Sequence, residues 1–416
     1  MIRLIGPCLA LTLALGAIAQ AQVEMPVLSP RPDAQPSRPQ AQPPRPAQAQ
    51  RPQSQTPRAQ TPATAQGQIK FGLAGPFTGQ NAAFGAQLKN GAEQAIANIN
   101  AAGGILRQKI AISLGDDASD ARQGVSVANR FASTGVKFVI GHFNSGVTIP
   151  ASDVYYESAI LVVSPASTSP KVTDRNLWNV FRTCGRDDQQ GVVAGDYIRK
   201  NYKGRRIAVV HDKTTYGQGL AEETRNALAA SGIIEVLYES ITVGTKDFGA
   251  LVTRIKASGA ELVYYGGTHV EAALLLRQMR DQGVTAVLMA ADGITDDDFA
   301  AIAGPAAEGT LMTYAPDPRK RPEAADVVAR FRAGNFEPHA YTLYSYAAVE
   351  IIRQAAEAAQ SLDPRKVAIV MRSGRTFKTV IGDITFDLKG DVTRPDYVMY
   401  VWKKDASGKI TYVQID

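Results

Sequence analysis

The chain has 416 residues, enough for two domains. A hydrophobic share of 45% and an aromatic share of 7% suit a packed globular core and exclude a wholly disordered chain. The net charge of +6 comes without a basic stripe interleaved with aromatics, so nucleic acid is not an indicated partner.

Residues 1–21 read as a secretory signal peptide. Arg3 supplies a positive start, Leu9 to Ile18 a short apolar run, and Ala17-Ile18-Ala19 or Ala19-Gln20-Ala21 a cleavage site. Cys8 follows Pro7 and precedes most of the apolar run, which argues against a lipid anchor. Cleavage would leave Cys184 alone, so no internal disulfide is expected and no role is assigned to that thiol. Residues 22–68, rich in Pro, Gln, Ala and Arg, read as a disordered linker. No later stretch is apolar for the ~20 residues a membrane helix needs.

From Ile69 onward, apolar runs alternate with helical periods. Strands are predicted at 69–74, 109–114, 137–140, 160–163, 206–210, 235–238, 262–265, 286–289 and 309–314. Helices are predicted at 91–100, where Ala92, Ala95, Ile96 and Ile99 share a face, and at 147–156, 247–258, 271–282 and 341–359. Asp363-Pro364 reads as an N-cap followed by Pro at the first helical position. Residues 376–386 and 397–413 read as hairpins, the second closing at Ala406-Ser407-Gly408. That ending departs from a βα barrel. The pattern predicts an α/β fold of two doubly wound lobes with parallel sheets.

In such folds ligands bind beyond the carboxyl ends of the strands. The segments that follow the strands carry hydroxyls, glycines and one acid: "HFNSG" from His142, "SPAST" from Ser164, "HDKTTYG" from His211, "GGTH" from Gly266 and "AADG" from Ala290. Each also has a plainer reading. Ser145 can be a helix cap and Asp292 a turn residue. Gly217-x-Gly219 lies past its strand and has Glu222 where a dinucleotide fingerprint needs its third glycine. The four histidines, at 142, 211, 269 and 339, lack metal-ligand spacing, and no phosphate loop or nucleophile elbow is present. No cofactor or metal is therefore expected.

"NGAEQAIANINAAGGI", "GHFNSGVTIPASD", "SPASTSP", "RIAVVHDKTTYGQGLAEE", "KDFGALVTRIKASGAELVYYGG" and "GDITFDLKGD" resemble the leucine/isoleucine/valine-binding proteins, type I periplasmic binding proteins that serve ABC importers. The resemblance runs from about Ile69 to near the C-terminus. It implies two lobes joined by a three-strand hinge, the first from 69–187 plus 315–394 and the second from 188–314 plus 395–416. It also implies a periplasmic, non-enzymatic monomer that closes over an amino acid and passes it to a membrane permease.

Matched residue by residue, the resemblance gives Ser145 the ligand's α-carboxylate, and Ala166 and Thr168, in a loop with Ser167, its ammonium. Asp292 pairs with that ammonium, where many relatives have glutamate. Tyr216 closes over the ligand, and Phe84 lies near the pocket. Thr268 stands where many relatives carry tyrosine, and Tyr341 lies toward the side-chain end. The first-lobe disulfide of some relatives falls here on Ser119 and Asn144, which cannot form it. Two other roles stay open on the same fold: binding an aromatic acid, amide or urea-like solute, and providing sensor input. An exported enzyme using Ser145 or Cys184 remains a distant third.

Overall fold

The apolar runs assemble into two sheets in the computed structural model, which describes residues 67–394 and 397–415. The expected signal peptide and nearly all of the linker lie outside the described residues. Strands β1 (Ile69–Gly75), β2 (Ile110–Asp116), β3 (Phe138–Ile140), β4 (Leu161–Ser164) and β5 (Val180–Arg182) form a parallel sheet in the order β2-β1-β3-β4-β5. The second sheet contains β6 (Ile207–His211), β7 (Leu237–Ser240), β8 (Leu262–Gly266), β9 (Val287–Ala290) and β10 (Leu311–Tyr314). A small hairpin, β11 (Phe377–Thr379) with β12 (Gly382–Ile384), packs on the first core. Strands β13 (Val398–Lys404) and β14 (Ile410–Gln414) then join the second sheet, giving the order β14-β13-β10-β9-β8-β6-β7.

Within the second sheet β6 to β10 run parallel, while β13 and β14 are antiparallel additions at one end. The central strands β3, β4, β6 and β8 are buried along their whole length, as parallel strands covered on both faces must be. Their cover comes from α1 (Ala82–Ala101), α2 (Ala121–Ser133), α3 (Ser145–Glu157), α4 (Asp187–Asn201), α5 (Thr215–Ala230) and α6 (Gly249–Ser258). The remaining helices are α7 (His269–Asp281), α8 (Asp297–Ala303), α9 (Ala325–Ala333), α10 (Ala340–Ala359) and α11 (Pro364–Met371). The chain crosses between the sheets three times: after β5, after β10 and before β13.

Three differences from the sequence expectation bear on the crevice and its lobes. Helix α1 begins nine residues before the predicted start at Gly91. Gly91 reads as a helix boundary but sits mid-helix, because α10 crosses there: a β-carbon on it would lie 2.0 Å from the Thr342 carbonyl oxygen. Helix α3 starts at Ser145, not Val147, so its first turn contains the residues that face the crevice. Strand β5, only Val-Phe-Arg, was not predicted; it is too short to show a period.

Candidate functional site

Parallel strands deliver their carboxyl ends to one edge of each sheet, and the loops there meet in a crevice. From β3 the chain reaches α3 through Asn144, whose backbone is extended and whose side chain makes no capping bond. The first N–H groups of α3 have no intrahelical partner and carry the positive end of its dipole. Ser145 sits at this start, and its Oγ accepts from the Ser169 N–H at 3.2 Å. That bond ties α3 to the loop after β4. Ser167 Oγ strengthens the tie, lying 2.6 Å from Thr148 Oγ1 and 3.0 Å from the Phe143 carbonyl oxygen.

The second sheet contributes Tyr216 from the first turn of α5, Thr268 as the N-cap of α7, and Asp292 from the turn after β9. Tyr341 comes from the first turn of α10, which packs on the first core. Ser145, Ala166, Tyr216, Thr268, Asp292 and Tyr341 together line a small pocket in the crevice, and Phe143, Asn144 and Gly293 complete its wall.

The other three expected residues do not reach that wall. Ser167 is spent on the loop contacts above. Thr168 lies buried beside Asp187, with its hydroxyl lacking a partner at hydrogen-bond geometry. Phe84 stacks on Phe143 at 4.5 Å and meets Tyr341 edge-on at 5.7 Å, so it backs the wall as a core aromatic.

Asp292 is 2% exposed. Its Oδ1 accepts from the Tyr216 hydroxyl at 2.8 Å and from Gln190 Nε2 at 3.1 Å. Burial raises its pKa above the usual carboxylate value, and the bonds from Gln190, Tyr216 and Tyr341 partly offset this. Burial raises Asp187 further, and the nearby Asp292 charge adds to it. Among the described residues neither acid forms an ion pair. The nearby cation, Arg182, is held by Asp391 at 2.5 Å. The pocket therefore meets one buried acid, Asp292, and the start of α3, while Asp187 lies behind Asp292 across the Gln190 amide.

Sequence reasoning missed Phe143, Asn144, Gly293, Asp187 and Gln190. The first two lie inside the motif that carried Ser145, and Gly293 directly follows Asp292. Asp187 and Gln190 sit in "GRDDQQG", just past the unrecognised β5. The acids' spacing gives no hint, because the Gln190–Asp292 bond spans 102 residues.

Nothing bonded to Ser145 would activate it as a nucleophile. The His142 ring is occupied by Asp117 at 2.6 Å and Tyr155 at 2.9 Å. Burial pushes the Cys184 thiol far above its ordinary value, which keeps it protonated. Among the described residues no group of three or more His, Cys, Asp or Glu is gathered to hold a metal, and no helix is long and apolar enough to cross a membrane.

A family model described as periplasmic binding protein matches residues 68–409. A Leu/Ile/Val-binding protein homolog of Brucella melitensis is 57% identical over 351 residues, covering 84% of this chain and 95% of the relative. A leucine-binding protein of Thermotoga maritima superposes with a TM-score of 0.77 at 27% identity, over 84% of this chain and 99% of that one. An ABC transporter substrate-binding protein of Desulfitobacterium hafniense, solved with leucine, gives 0.69 at 28% identity, over 83% and 100%.

Proposed function

The chain belongs to the periplasmic binding protein family, and from that premise we propose that it captures a free branched-chain or similar aliphatic amino acid and hands it to an ABC importer in the periplasm, without catalysis. One observation carries this reading. One pocket presents a helix start with Ser145 from one sheet and, from the other, a buried Asp292 that forms no ion pair among the described residues. An amino acid brings the complementary pair of charges. Its carboxylate suits the α3 dipole and first-turn N–H groups. Its ammonium suits Asp292, and hydrogen bonds to charged groups contribute about 1.5–3 kcal/mol each. The rest of the wall, Phe143 and Tyr341 at 5.6 Å edge-to-face, suits an aliphatic side chain.

Lobe closure fits the contacts that join first-sheet elements to second-sheet elements. Gln87 Nε2 donates to Asp296 at 2.8 Å, Gln80 Nε2 donates to Glu271 at 3.2 Å, and the Tyr341 hydroxyl reaches the Asp292 carbonyl oxygen at 3.4 Å. These bonds span the crevice, and a ligand held between the sheets favours the state that makes them by differential binding.

The test is a thermal-shift series on protein stripped of ligand by unfolding and refolding. It is run against the twenty amino acids, amine-free carboxylic acids, amides and urea. A ligand at a hundred times its Kd adds about 2.7 kcal/mol of stability. A shift with leucine, isoleucine or valine supports the reading. A shift confined to amine-free acids or amides overturns it.

A further inference from the structure

We infer that a second, polar chamber of the crevice, adjoining the small pocket at Thr268, takes the far end of a longer amino-acid side chain, one that ends in N–H donors such as a guanidinium or ureido group. The inference rests on the amino-acid reading above and widens its ligand class beyond aliphatic side chains.

The chamber lies between the same two sheets as the pocket and is the larger of the two. Asn144, Tyr216 and Thr268 line both, so the two spaces meet along those residues. The rest of the chamber's wall comes from loops at the carboxyl ends of the strands. Asn81 precedes α1, Ser119 lies between β2 and α2, and Asp212 lies between β6 and α5. Most of this lining is polar, whereas Phe143 and Tyr341 belong to the small pocket alone.

The free bonding capacity of the chamber is of one kind. Asp212 is 2% exposed, and its Oδ1 accepts from the Thr214 N–H at 2.9 Å and the Thr214 hydroxyl at 2.6 Å. Its Oδ2 is buried without a partner. Asn81 is 3% exposed; its Nδ2 donates to Ser119 Oγ at 3.0 Å, while its Oδ1 has no partner. Asn144 Oδ1 is also buried and unpartnered. Three acceptors from three loops are thus left without donors, and a buried acceptor left unmade is costly. Among the described residues that line the chamber there is no lysine or arginine to supply them. Glu271 is fully buried nearby and is already bonded by Gln80 Nε2 at 3.2 Å and the Gly244 N–H at 2.7 Å, so it adds negative charge. Burial raises Asp212 to about 6, against the Thr214 bonds, and Glu271 adds to the rise. N–H donors at Oδ2 would favour the anion again.

An aliphatic side chain reaching this chamber would satisfy none of these acceptors. A guanidinium carries five N–H donors at the end of a flexible methylene stem. A ureido group presents several without the charge. A site built to bond such a group discriminates against an analogue that lacks it, because its buried polar groups then stay unpaired.

The experiment titrates wild type, Asn81→Leu and Asp212→Asn by calorimetry, each stripped of ligand by unfolding and refolding. The ligands are L-leucine, L-arginine, L-citrulline and L-norleucine. Wild type should bind arginine and citrulline more tightly than norleucine, which has a methylene stem without donors. Asn81→Leu and Asp212→Asn should each weaken arginine at least about tenfold, the size of one hydrogen bond to a charged group. Leucine should be unchanged, because neither residue lines the small pocket. Leucine binding without arginine or citrulline binding sinks this inference alone and leaves the chamber to water. Equal losses for every ligand would make the two residues structural and overturn it as well. Asp212 also holds the Thr214 cap of α5, so should Asp212→Asn fail to refold, Asn81→Leu decides. A wild type that binds none of the four sinks the amino-acid reading beneath.

Discussion

Tyr216 and Asp292 are locked together across the roof of the cavity: the tyrosine hydroxyl donates to Asp292 Oδ1 at 2.8 Å and accepts from the Gly293 N–H at 3.0 Å. The aromatic ring that covers the cavity and the acid within it therefore move as one unit. Tyr216→Phe removes both bonds and leaves the Gly293 N–H without a partner. Stability should fall by about 1–3 kcal/mol, the cost of an unsatisfied buried group. Urea unfolding with an unchanged slope would show this, alongside weaker leucine binding.

Asp292→Asn keeps the shape and removes the charge. Leucine affinity should fall at least about thirtyfold, equivalent to roughly 2 kcal/mol. The amine-free hydroxy acid (S)-2-hydroxy-4-methylpentanoate should lose much less. Calorimetric titration of both ligands separates a lost ion pair from a damaged cavity.

The stability of the ligand-free protein should depend on pH through these acids. Asp187 and Asp292 are both raised above 3.8, chiefly by burial. The native state therefore keeps protons that the unfolded chain has released. Stability falls as pH rises from the unfolded value through the raised native ones. Asp391, lowered below 3.8, has the opposite sign: burial opposes the shift, but Arg182, Arg186 and Thr173 outweigh it. Its contribution is present above the unfolded value and is lost as pH falls through the native one. Melting temperatures of wild type and Asp187→Asn, taken from about pH 4 to pH 8, should differ most at the upper end. A constant gap across that range would count against a raised Asp187.

Asp391 also holds Arg182, whose guanidinium is fully buried and donates to the Ser167 and Ser169 carbonyls at 2.8 and 3.0 Å. Asp391→Ala leaves that cation unpaired under the loop that follows β4. The expected cost is about 3–5 kcal/mol of stability, as for other broken buried pairs. Guanidinium unfolding measures it, and a loss under 1 kcal/mol would mean that water repairs the site.

Phe143→Leu should widen the side-chain end of the cavity, since Phe143 lines it and rests on Phe84 and Tyr341. The ranking of aliphatic amino acids should move toward longer side chains by about 1 kcal/mol per added methylene accommodated. Competition binding among alanine, valine, leucine and methionine reads the order directly.

Most of the fold is legible along the chain. The runs from Ile69, Lys137, Ile160, Arg206 and Leu262 become strands within a residue or two, because β-branched residues flanked by Gly and polar turns have little other use. Asp363 caps α11 as read, accepting from the Arg365 and Lys366 N–H groups. Ser145, Tyr216 and Asp292 were legible as crevice residues because each directly follows a strand or opens the next helix. Strand β5 was not legible: three residues show no period, and its role comes from pairing with β4.

The sequence by itself determined the alternation of strand and helix, the helix starts at the strand ends and so the family of crevices this chain can build. Those are local properties, set by residues within a turn of one another. Only the tertiary structure decided that Phe84 backs the cavity while Phe143 lines it, and that Asp187 reaches Asp292 through Gln190. These depend on which buried surfaces meet after two sheets close. Burial is what turns an ordinary helix-start aspartate into an acid in need of a cation, and no stretch of sequence reports its own distance from water.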